Sequence, residues 1–296
     1  MNNVLAHTGG ALFIFCLAVH GPLRAAEPDP VTRGAYVFAA AGCAVCHTDP
    51  KAKDKPLAGG RAFKTPFGVF YSPNITPDPR HGIGDWTERD FLKALRAGVA
   101  PNGSPYYPSF PYTSYTRMKD RDAKDLWAYL KSRTPIAEPN KPHELTWPFG
   151  YRFALWGWQA LFFDQGVFKP DPQKSDDWNR GAYLAGLGHC AECHSPRNLF
   201  GALDRGKLFA GTAKAPEGGA VPNITPDKET GIGQWSADAI TELLSSGMLP
   251  DGDFIGSSMG DVVENTTGKL TKDDLRTLAL FLRSLPPIRN DVSKKK

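Results

Sequence analysis

The chain has 296 residues, of which 41% are hydrophobic and 22% charged, a balance that excludes intrinsic disorder as its main state. Its 30 glycines and 26 prolines favour short elements joined by turn-rich loops, and its length suits two modest domains or one large one. The 35 lysines and arginines nearly balance the 31 aspartates and glutamates, which excludes the basic footprint of a nucleic-acid-binding protein.

The first 26 residues have the composition of an export signal. Residues 11–19 (ALFIFCLAV) form an apolar block of signal-peptide length, and Ala25 and Ala26 supply small residues for cleavage. We therefore predict a signal peptide at 1–26 and a periplasmic location, with peripheral membrane contact as a further option. An uncleaved anchor stays open because residues 1–10 carry no lysine or arginine.

Four of the five cysteines form two identical C-x-x-C-H patterns, at residues 43–47 and 190–194. Two thiols one helical turn apart can form thioethers with the vinyl groups on one porphyrin edge, and the adjacent histidine then turns a nitrogen toward the iron. We therefore predict two covalently bound haem c groups. The predicted attachment sites are Cys43, Cys46, Cys190 and Cys193, and the predicted iron ligands are His47 and His194.

Three other interpretations of these cysteines are weaker. A zinc site of four cysteines is disfavoured because the pairs are 147 residues apart and a histidine follows each pair. A thioredoxin-like redox motif needs a βαβ context, which this sequence lacks. Disulfide pairing in an exported protein leaves the duplicated histidine unexplained.

The sequence contains a duplicated unit. Three blocks recur in the same order: RGAY (33–36 and 180–183), PNITPD (73–78 and 222–227) and GIG-x-W (82–86 and 231–235). We predict one haem domain at 31–136, called here the first repeat, and another at 178–287, the second repeat. A linker at 137–177 joins them, and a basic tail at 288–296 follows.

Each repeat carries three helix signals. They are a helix that leads into the Cys motif (33–41 and 180–187), a helix after the tryptophan (87–97 and 236–246) and a closing helix (119–132 and 271–284). Thr87 and Ser236 are good N-caps, and Gly98 and Gly247 follow the last turns. No strong alternating strand pattern appears. The expected fold class is therefore all-α, with two tandem haem domains joined by an aromatic-rich linker.

The second repeat offers two methionines for the sixth iron position. A thioether sulfur opposite the histidine closes the iron to substrates and suits electron transfer. Met259 lies in a glycine- and serine-rich segment, residues 256–260, which we expect to be a loop. Met248 directly follows the helix-ending Gly247 and is the alternative. We therefore predict Met259 as the ligand of the second haem.

The first repeat offers only Met118 after its Cys motif, so Met118 is the predicted ligand there. Alignment of the closing helices places Met118 on Leu270, an apolar anchor, so a purely structural role stays open. If Met118 is not the ligand, the first iron is five-coordinate or takes another group, with His81 and His143 as candidates.

These motifs resemble the diheme c-type cytochromes that serve as electron-accepting subunits of periplasmic dehydrogenases, with the triheme alcohol dehydrogenase cytochrome c subunits as larger relatives. The resemblance runs from Arg33 to about Pro287, and it includes YPSFPY at 107–112 and HCAECHSPRN at 189–198. It implies cytochrome c-like domains that receive electrons from a dehydrogenase and pass them to another cytochrome or an oxidase. Alcohol dehydrogenase-type relatives carry an axial methionine inside an MPY motif, where this chain has Phe110.

The resemblance also implies contacts with the haem propionates. The indole N–H groups of Trp86 and Trp235 can donate to propionates, with plain core packing as the equal alternative. Arg197 follows the second Cys motif and can meet a propionate too, although a solvated arginine is the default.

The centre of the linker, residues 147–163 (WPFGYRFALWGWQALFF), is dense in aromatic residues. It does not span a bilayer, because it has only seventeen residues and contains Arg152 and Gln159. We expect a connecting helix packed between the two haem domains. The alternative is a docking face for a dehydrogenase or a membrane surface.

Together these features predict an exported diheme cytochrome that moves single electrons from a dehydrogenase to a downstream respiratory acceptor, rather than an enzyme. Both irons are expected to be six-coordinate and low-spin in the reduced protein. The alternative is a haem enzyme, peroxidase-like or thiosulfate-oxidising, with an open or unusually ligated first haem. Thiosulfate enzymes with a cysteine ligand need a spare cysteine, which the mature chain lacks.

Overall fold

The computed structural model describes residues 27–215 and 218–293, so the predicted signal peptide and the end of the basic tail lie outside the described residues. The described chain is mostly helical, as predicted. Its helices are α1 (Pro30–Ala40), α2 (Cys43–His47), α3 (Glu88–Ala97), α4 (Tyr112–Tyr115), α5 (Asp120–Lys131), α6 (Ala154–Phe162), α7 (Asp176–Leu187), α8 (Cys190–His194), α9 (Ala237–Ser246), α10 (Ser257–Asn265) and α11 (Lys272–Arg283).

Helix order is the same in the two repeats. Helices α1 to α5 of the first repeat recur as α7 to α11 of the second, and in each the first helix packs against the last. The RGAY glycine is the crossing point. A Cβ on Gly34 would lie 1.9 Å from the carbonyl oxygen of Asp125, and one on Gly181 would lie 2.0 Å from that of Thr277. Only glycine lets these helix backbones approach so closely.

The capping residues set the helix boundaries close to the predicted ones. Thr87 caps α3 through a capping box with Asp90, and Gly98 ends it in the left-handed conformation. Ser236 and Gly247 do the same for α9, without the box. The helices that lead into the Cys motifs begin earlier than predicted, because Asp29 and Ser175 cap α1 and α7.

A small antiparallel sheet corrects the purely helical expectation. Its strands are β1 (Ala62–Thr65), β2 (Gly68–Tyr71) and β3 (Glu144–Leu145), in the order β1-β2-β3. The strands escaped prediction because the longest has four residues, too few for a clear alternation. Since β3 belongs to the predicted linker, the start of the linker folds back onto the first repeat.

One buried apolar cluster extends through both repeats. It includes Tyr115, Met118 and Leu126 of the first repeat together with Tyr183 and Leu184 of the second. Polar contacts reinforce the junction: Tyr36 donates to Asp274, and Tyr183 donates to Asp122. The structure therefore holds the two repeats face to face through their RGAY helices.

The aromatic stretch of the linker lies mostly on the surface. Helix α6 buries only Gln159, whose amide donates to the carbonyls of Ala97 and Gly98. Trp147 is 82% exposed and Phe153 75% exposed. The expectation that this stretch packs between the repeats is wrong for most of its side chains. No helix in the described ranges combines the length and apolar character needed to cross a bilayer.

Candidate haem-binding sites

The first Cys motif forms the short helix α2, which places Cys43, Cys46 and His47 within about one and a half turns. Gly42 starts it in the left-handed conformation, with φ of 66°. Nδ1 of His47 lies 2.8 Å from the carbonyl oxygen of Pro73. This bond fixes the ring and leaves Nε2 as the nitrogen available to a metal.

The second Cys motif repeats this geometry in α8. Nδ1 of His194 lies 2.9 Å from the carbonyl oxygen of Pro222. His189 takes the place of Gly42 before the helix and adopts the same left-handed conformation, with φ of 44°. The histidine ligands predicted in the two repeats are therefore oriented by equivalent carbonyl groups.

The PNITPD blocks explain why those carbonyls are well placed. Asn74 accepts the backbone N–H of Thr76 at 2.9 Å, and Asn223 accepts that of Thr225 at 2.9 Å. These turns hold the backbone next to the proline that bonds the histidine. This role of the PNITPD blocks in orienting the histidines was not predicted, because the only sequence signal for it is the recurrence of the block itself.

Burial sets the protonation of both motifs in the absence of cofactor. It lowers the pKa of His47 and His194, despite the opposing effect of the proline carbonyls, so both rings are neutral at pH 7, the form that ligates iron. Burial, followed by the neighbouring cysteine, raises the pKa of Cys43 and Cys190 to about 12. Both remain protonated thiols until they react.

The donor set fits a porphyrin better than a bare metal ion. Within the described residues, no three histidine, cysteine or acidic side chains are grouped closely enough to hold a metal ion, which argues against the zinc interpretation. Nor do the described cysteines form a disulfide. Thr266 Oγ1 beside Gly42 and Arg197 Nε after the second motif are buried without a partner in the described chain. Such orphaned donors beside both motifs fit a bulky cofactor with polar edges.

The three methionines in question lie in different environments. Met259 is partly buried and packs against the core from the first turn of α10, so the segment expected to be a loop is helical from Ser257. Met248 is 37% exposed, and its backbone bridges to Phe254 in a surface turn. Met118 is 1% exposed, between α4 and α5. Partial burial beside the core makes Met259 a better placed ligand than Met248.

The residues proposed to contact propionates, and the alternative iron ligands, differ in burial and in their hydrogen-bond partners. Trp86 and Trp235 are partly buried against the core. Arg197 bonds the Glu192 carboxylate at 2.6 Å and the Gly201 carbonyl at 2.7 Å, so only its Nε lacks a partner. His143 packs against aromatic rings and accepts the backbone N–H of Tyr71 at 3.2 Å, which commits it to packing.

His81 is only partly buried, on the turn that follows the PNITPD block. Its backbone N–H donates to Asp78 at 2.7 Å, and its carbonyl oxygen accepts from the side chain of Asn140 at 2.8 Å. These bonds fix the backbone of His81 within the loop that shapes the first site.

The two motifs meet at the junction of the repeats. A Cβ on Gly42 would lie 3.5 Å from Nε2 of His189, and one on Gly188 would lie 3.4 Å from the carbonyl oxygen of Ala40. The residues that directly precede the two Cys motifs therefore lie close together. Cofactors attached to α2 and α8 would be neighbours within one protein.

Each motif is also tied to the other repeat by a charged residue that sequence reasoning missed. Arg61 donates to the carbonyl of Val45 inside the first motif and pairs with Asp261 of α10 at 3.4 Å. Glu192 of the second motif accepts from Thr113 of α4 at 2.8 Å. No sequence signal links these positions, because each pair is separated by at least 79 residues.

Comparison with known proteins agrees with the interpretation of the chain as a c-type cytochrome. The cytochrome c family model matches residues 31–134. The chain is 45% identical over 267 residues to a diheme cytochrome c-type protein of Cereibacter sphaeroides, a match that covers 87% of this chain and 86% of that protein.

Larger relatives are also similar. The chain is 39% identical over 279 residues to the cytochrome c subunit of a quinone alcohol dehydrogenase of Gluconobacter oxydans, a match that covers 90% of this chain and 58% of that subunit. It is 43% identical over 258 residues to a subunit of the nicotinate dehydrogenase of Pseudomonas putida, which covers 86% of this chain but only 21% of that protein. With two CxxCH helices built alike and a diheme relative matched over most of both lengths, the chain belongs to the diheme c-type cytochromes.

Proposed function

We propose that this protein is a periplasmic diheme cytochrome that accepts single electrons from a dehydrogenase and passes them to a downstream respiratory acceptor. The observation that carries the proposal is the close approach of Gly42 and His189, the residues that directly precede the two CxxCH helices: a Cβ on Gly42 would lie 3.5 Å from Nε2 of His189. A chain that holds two redox groups side by side is suited to moving electrons between them. The names of the relatives support a dehydrogenase as the donor.

In this proposal each repeat is a cytochrome c domain, at 31–136 and 178–287. The two cysteines of α2 tether one haem c, and the two cysteines of α8 tether the other. His47 and His194 ligate the irons through Nε2, while the carbonyls of Pro73 and Pro222 orient the imidazole rings. Haem iron supplies the one-electron couple. The polypeptide would hold the two rings and keep them close together.

Side chains beyond the proximal ligands complete the proposed sites. Met259 is the proposed sixth ligand of the second iron, since it is partly buried against the shared core and its helix, α10, contacts α9 of the second repeat. Trp86 and Trp235 donate their indole N–H groups to propionates, as does Arg197 through Nε. Closure of the second iron by sulfur favours outer-sphere electron transfer over substrate chemistry there.

The surface where the donor docks is proposed to be the aromatic surface, made of exposed residues of the linker and of the loop after the second Cys motif. Its members are Trp147, Phe153, Trp156, Leu161, Leu199 and Phe200. Phe162 stacks on Phe200 with ring centres 5.8 Å apart, and Trp158 donates to the Phe200 carbonyl at 2.9 Å, so α6 and the loop form a continuous surface. Exposed apolar patches of this kind mark interaction sites.

The aromatic surface leads directly to the second haem site. Arg197 clamps its loop to Glu192 of α8 at 2.6 Å, and Cys193 is exposed on that helix. A dehydrogenase bound to the aromatic surface would thus lie close to Cys193, one of the two residues that would hold the second haem. We assign the surface to a dehydrogenase because relatives of this chain are named as parts of such enzymes.

Co-purification of the tagged protein from its native host, followed by reduction of the purified complex with the dehydrogenase substrate, tests this function. The aromatic-surface variants Trp147→Ser and Phe153→Ser should slow haem reduction by the partner at least tenfold and leave reduction by dithionite unchanged. Leu280→Ser, at a residue 44% exposed on α11, is the matched control. Vesicle binding lost with unchanged reduction by the partner would assign the surface to a membrane and overturn the docking proposal.

A further inference from the structure

The two repeats correspond residue by residue from α3 and α9 to the segment that holds Met259. The left-handed caps Gly98 and Gly247 are equivalent, and a bridge follows each one, between Val99 and Pro105 and between Met248 and Phe254. The next backbone bond is equivalent too: Tyr106 donates to the carbonyl of Gly98 at 2.7 Å, and Ile255 donates to that of Gly247 at 2.9 Å. The offset is 149 residues throughout, with no insertion.

Counting onward from these matched bonds places Phe110 on Met259. Each lies four residues beyond its anchor, Tyr106 in one repeat and Ile255 in the other. The offset changes to 152 only at the closing helices, where the caps Lys119 and Thr271 correspond. The three extra residues of the second repeat therefore come after Met259, and they do not disturb the match with Phe110.

Met118 corresponds to Leu270 instead. Both residues stand directly before the N-cap of the closing helix, and both pack against the core. The Met118 backbone is fixed there, since its carbonyl accepts from Arg96 and its N–H donates to the Tyr115 carbonyl at 2.9 Å. Helix α4 separates it from Phe110. Met118 therefore corresponds to the apolar anchor Leu270, which packs against the core before the closing helix, and it does not correspond to Met259.

Phe110 lies in an aromatic cluster next to the first Cys motif. Its ring contacts those of Tyr106 at 5.3 Å, Tyr115 at 5.8 Å and Tyr112 at 6.3 Å. The Tyr115 hydroxyl donates to the carbonyl of Ala41 at 2.7 Å, which ties the cluster to the start of α2. A phenyl ring has no atom that can ligate iron.

From these correspondences we infer that the first haem has no side-chain ligand opposite His47, and that this Phe110-lined face is a binding site for a small neutral diatomic ligand. The surrounding aromatic rings favour a neutral molecule, because they carry no charge that would compensate a charged one. The inference rests on the proposed attachment of haem to Cys43 and Cys46. It replaces the expectations that both irons are six-coordinate and that Met118 is a ligand, and it gives the chain a ligand-binding site beyond electron transfer.

Carbon monoxide is the probe. The holoprotein, reduced with dithionite, should bind one CO per chain, with the spectrum of only one of its two haems changed. Phe110→Met should abolish CO binding and add a second sulfur-to-iron charge-transfer band in the oxidised protein. Met118→Leu, the matched control, should bind CO like the wild type and keep the single band assigned to Met259.

The opposite results would overturn the inference. They are a reduced wild-type protein that binds no CO, or a Met118→Leu variant that loses a charge-transfer band. Both remain informative if Phe110→Met fails to fold, since neither uses that variant. If both haems accept electrons and neither binds CO, the proposed electron transfer stands and only this inference fails.

Discussion

Tyr36 and Asp274 join the two repeats through a hydrogen bond from the phenol to the carboxylate. The same bond recurs between Tyr183 and Asp122, and each phenol also accepts a backbone N–H at the start of the facing closing helix, from Thr271 at 3.1 Å and from Lys119 at 3.2 Å. The junction is therefore reciprocal: the tyrosine of each RGAY block bonds the other repeat. This explains why RGAY recurs with its tyrosine as well as its glycine.

Removal of the Tyr183 hydroxyl should destabilise the protein. Tyr183 is 2% exposed, and Tyr183→Phe leaves the Asp122 carboxylate and the Lys119 N–H without their shared partner. We expect a loss of about 2 kcal/mol in the free energy of unfolding, measured by urea denaturation of the holoprotein. Tyr151→Phe, at a residue 54% exposed, should change little and is the control. Equal stability of the Tyr183 and Tyr151 variants would refute the role of the junction.

The same tyrosines should make the protein sensitive to alkali. Burial, and then the facing carboxylate, raises the pKa of Tyr36 and of Tyr183. A raised folded-state pKa means that this stability is present below the unfolded pKa of about 10 and is lost as the pH rises toward the folded value. Between pH 9 and about 11 the wild type should lose more stability than a Tyr36→Phe, Tyr183→Phe double variant. Parallel pH profiles for the two proteins would contradict this assignment.

Two glycines of α7 should respond in opposite ways to alanine. Gly181→Ala drives a methyl group into the backbone of α11, 2.0 Å from the Thr277 carbonyl oxygen, and should cost about 3 kcal/mol. Gly186 has open space around its Cβ position, so Gly186→Ala should stabilise by about 0.5 to 1 kcal/mol. Thermal unfolding of both holoproteins measures the difference. A Gly181→Ala protein as stable as the wild type would contradict the close helix crossing.

Met259→Ala should abolish the red sulfur-to-iron band of the second haem, because the partly buried Met259 sulfur is the proposed ligand. Met248→Ala should leave the band intact, since Met248 is in a surface turn. Optical spectra of the oxidised proteins measure both. A band that survives Met259→Ala in full and disappears in Met248→Ala would exchange the two assignments.

Local signals carried most of the prediction of the sites and helices. Each of these signals lies within a few residues of the element that it defines. They are the CxxCH spacing, the caps Thr87 and Ser236, and the glycines Gly98 and Gly247. These features depend on short-range chemistry, which a single sequence contains. The bounds of the helix after the tryptophan (α3 and α9) and of the closing helix (α5 and α11) were therefore predictable to within one or two residues.

Contacts between distant segments were not predictable in the same way. Strand β3 exists because Glu144 and Leu145 pair with β2, about 75 residues earlier in the chain. The bonds from His47 to Pro73 and from Glu192 to Thr113 likewise depend on how the chain closes. The match of Phe110 with Met259 rests on the equivalent bridges, because an alignment of the closing helices alone relates Met118 to Leu270 and leaves the segment before them unassigned.

Intact-mass spectrometry of the purified chain, expressed with a cytochrome c maturation system, tests the central claim most directly. We expect the polypeptide mass plus two haem groups, reduced to one haem by Cys43→Ala with Cys46→Ala, and likewise by Cys190→Ala with Cys193→Ala. A polypeptide that carries no covalent haem after such expression, or whose haem content is unchanged by either pair of substitutions, would contradict the account.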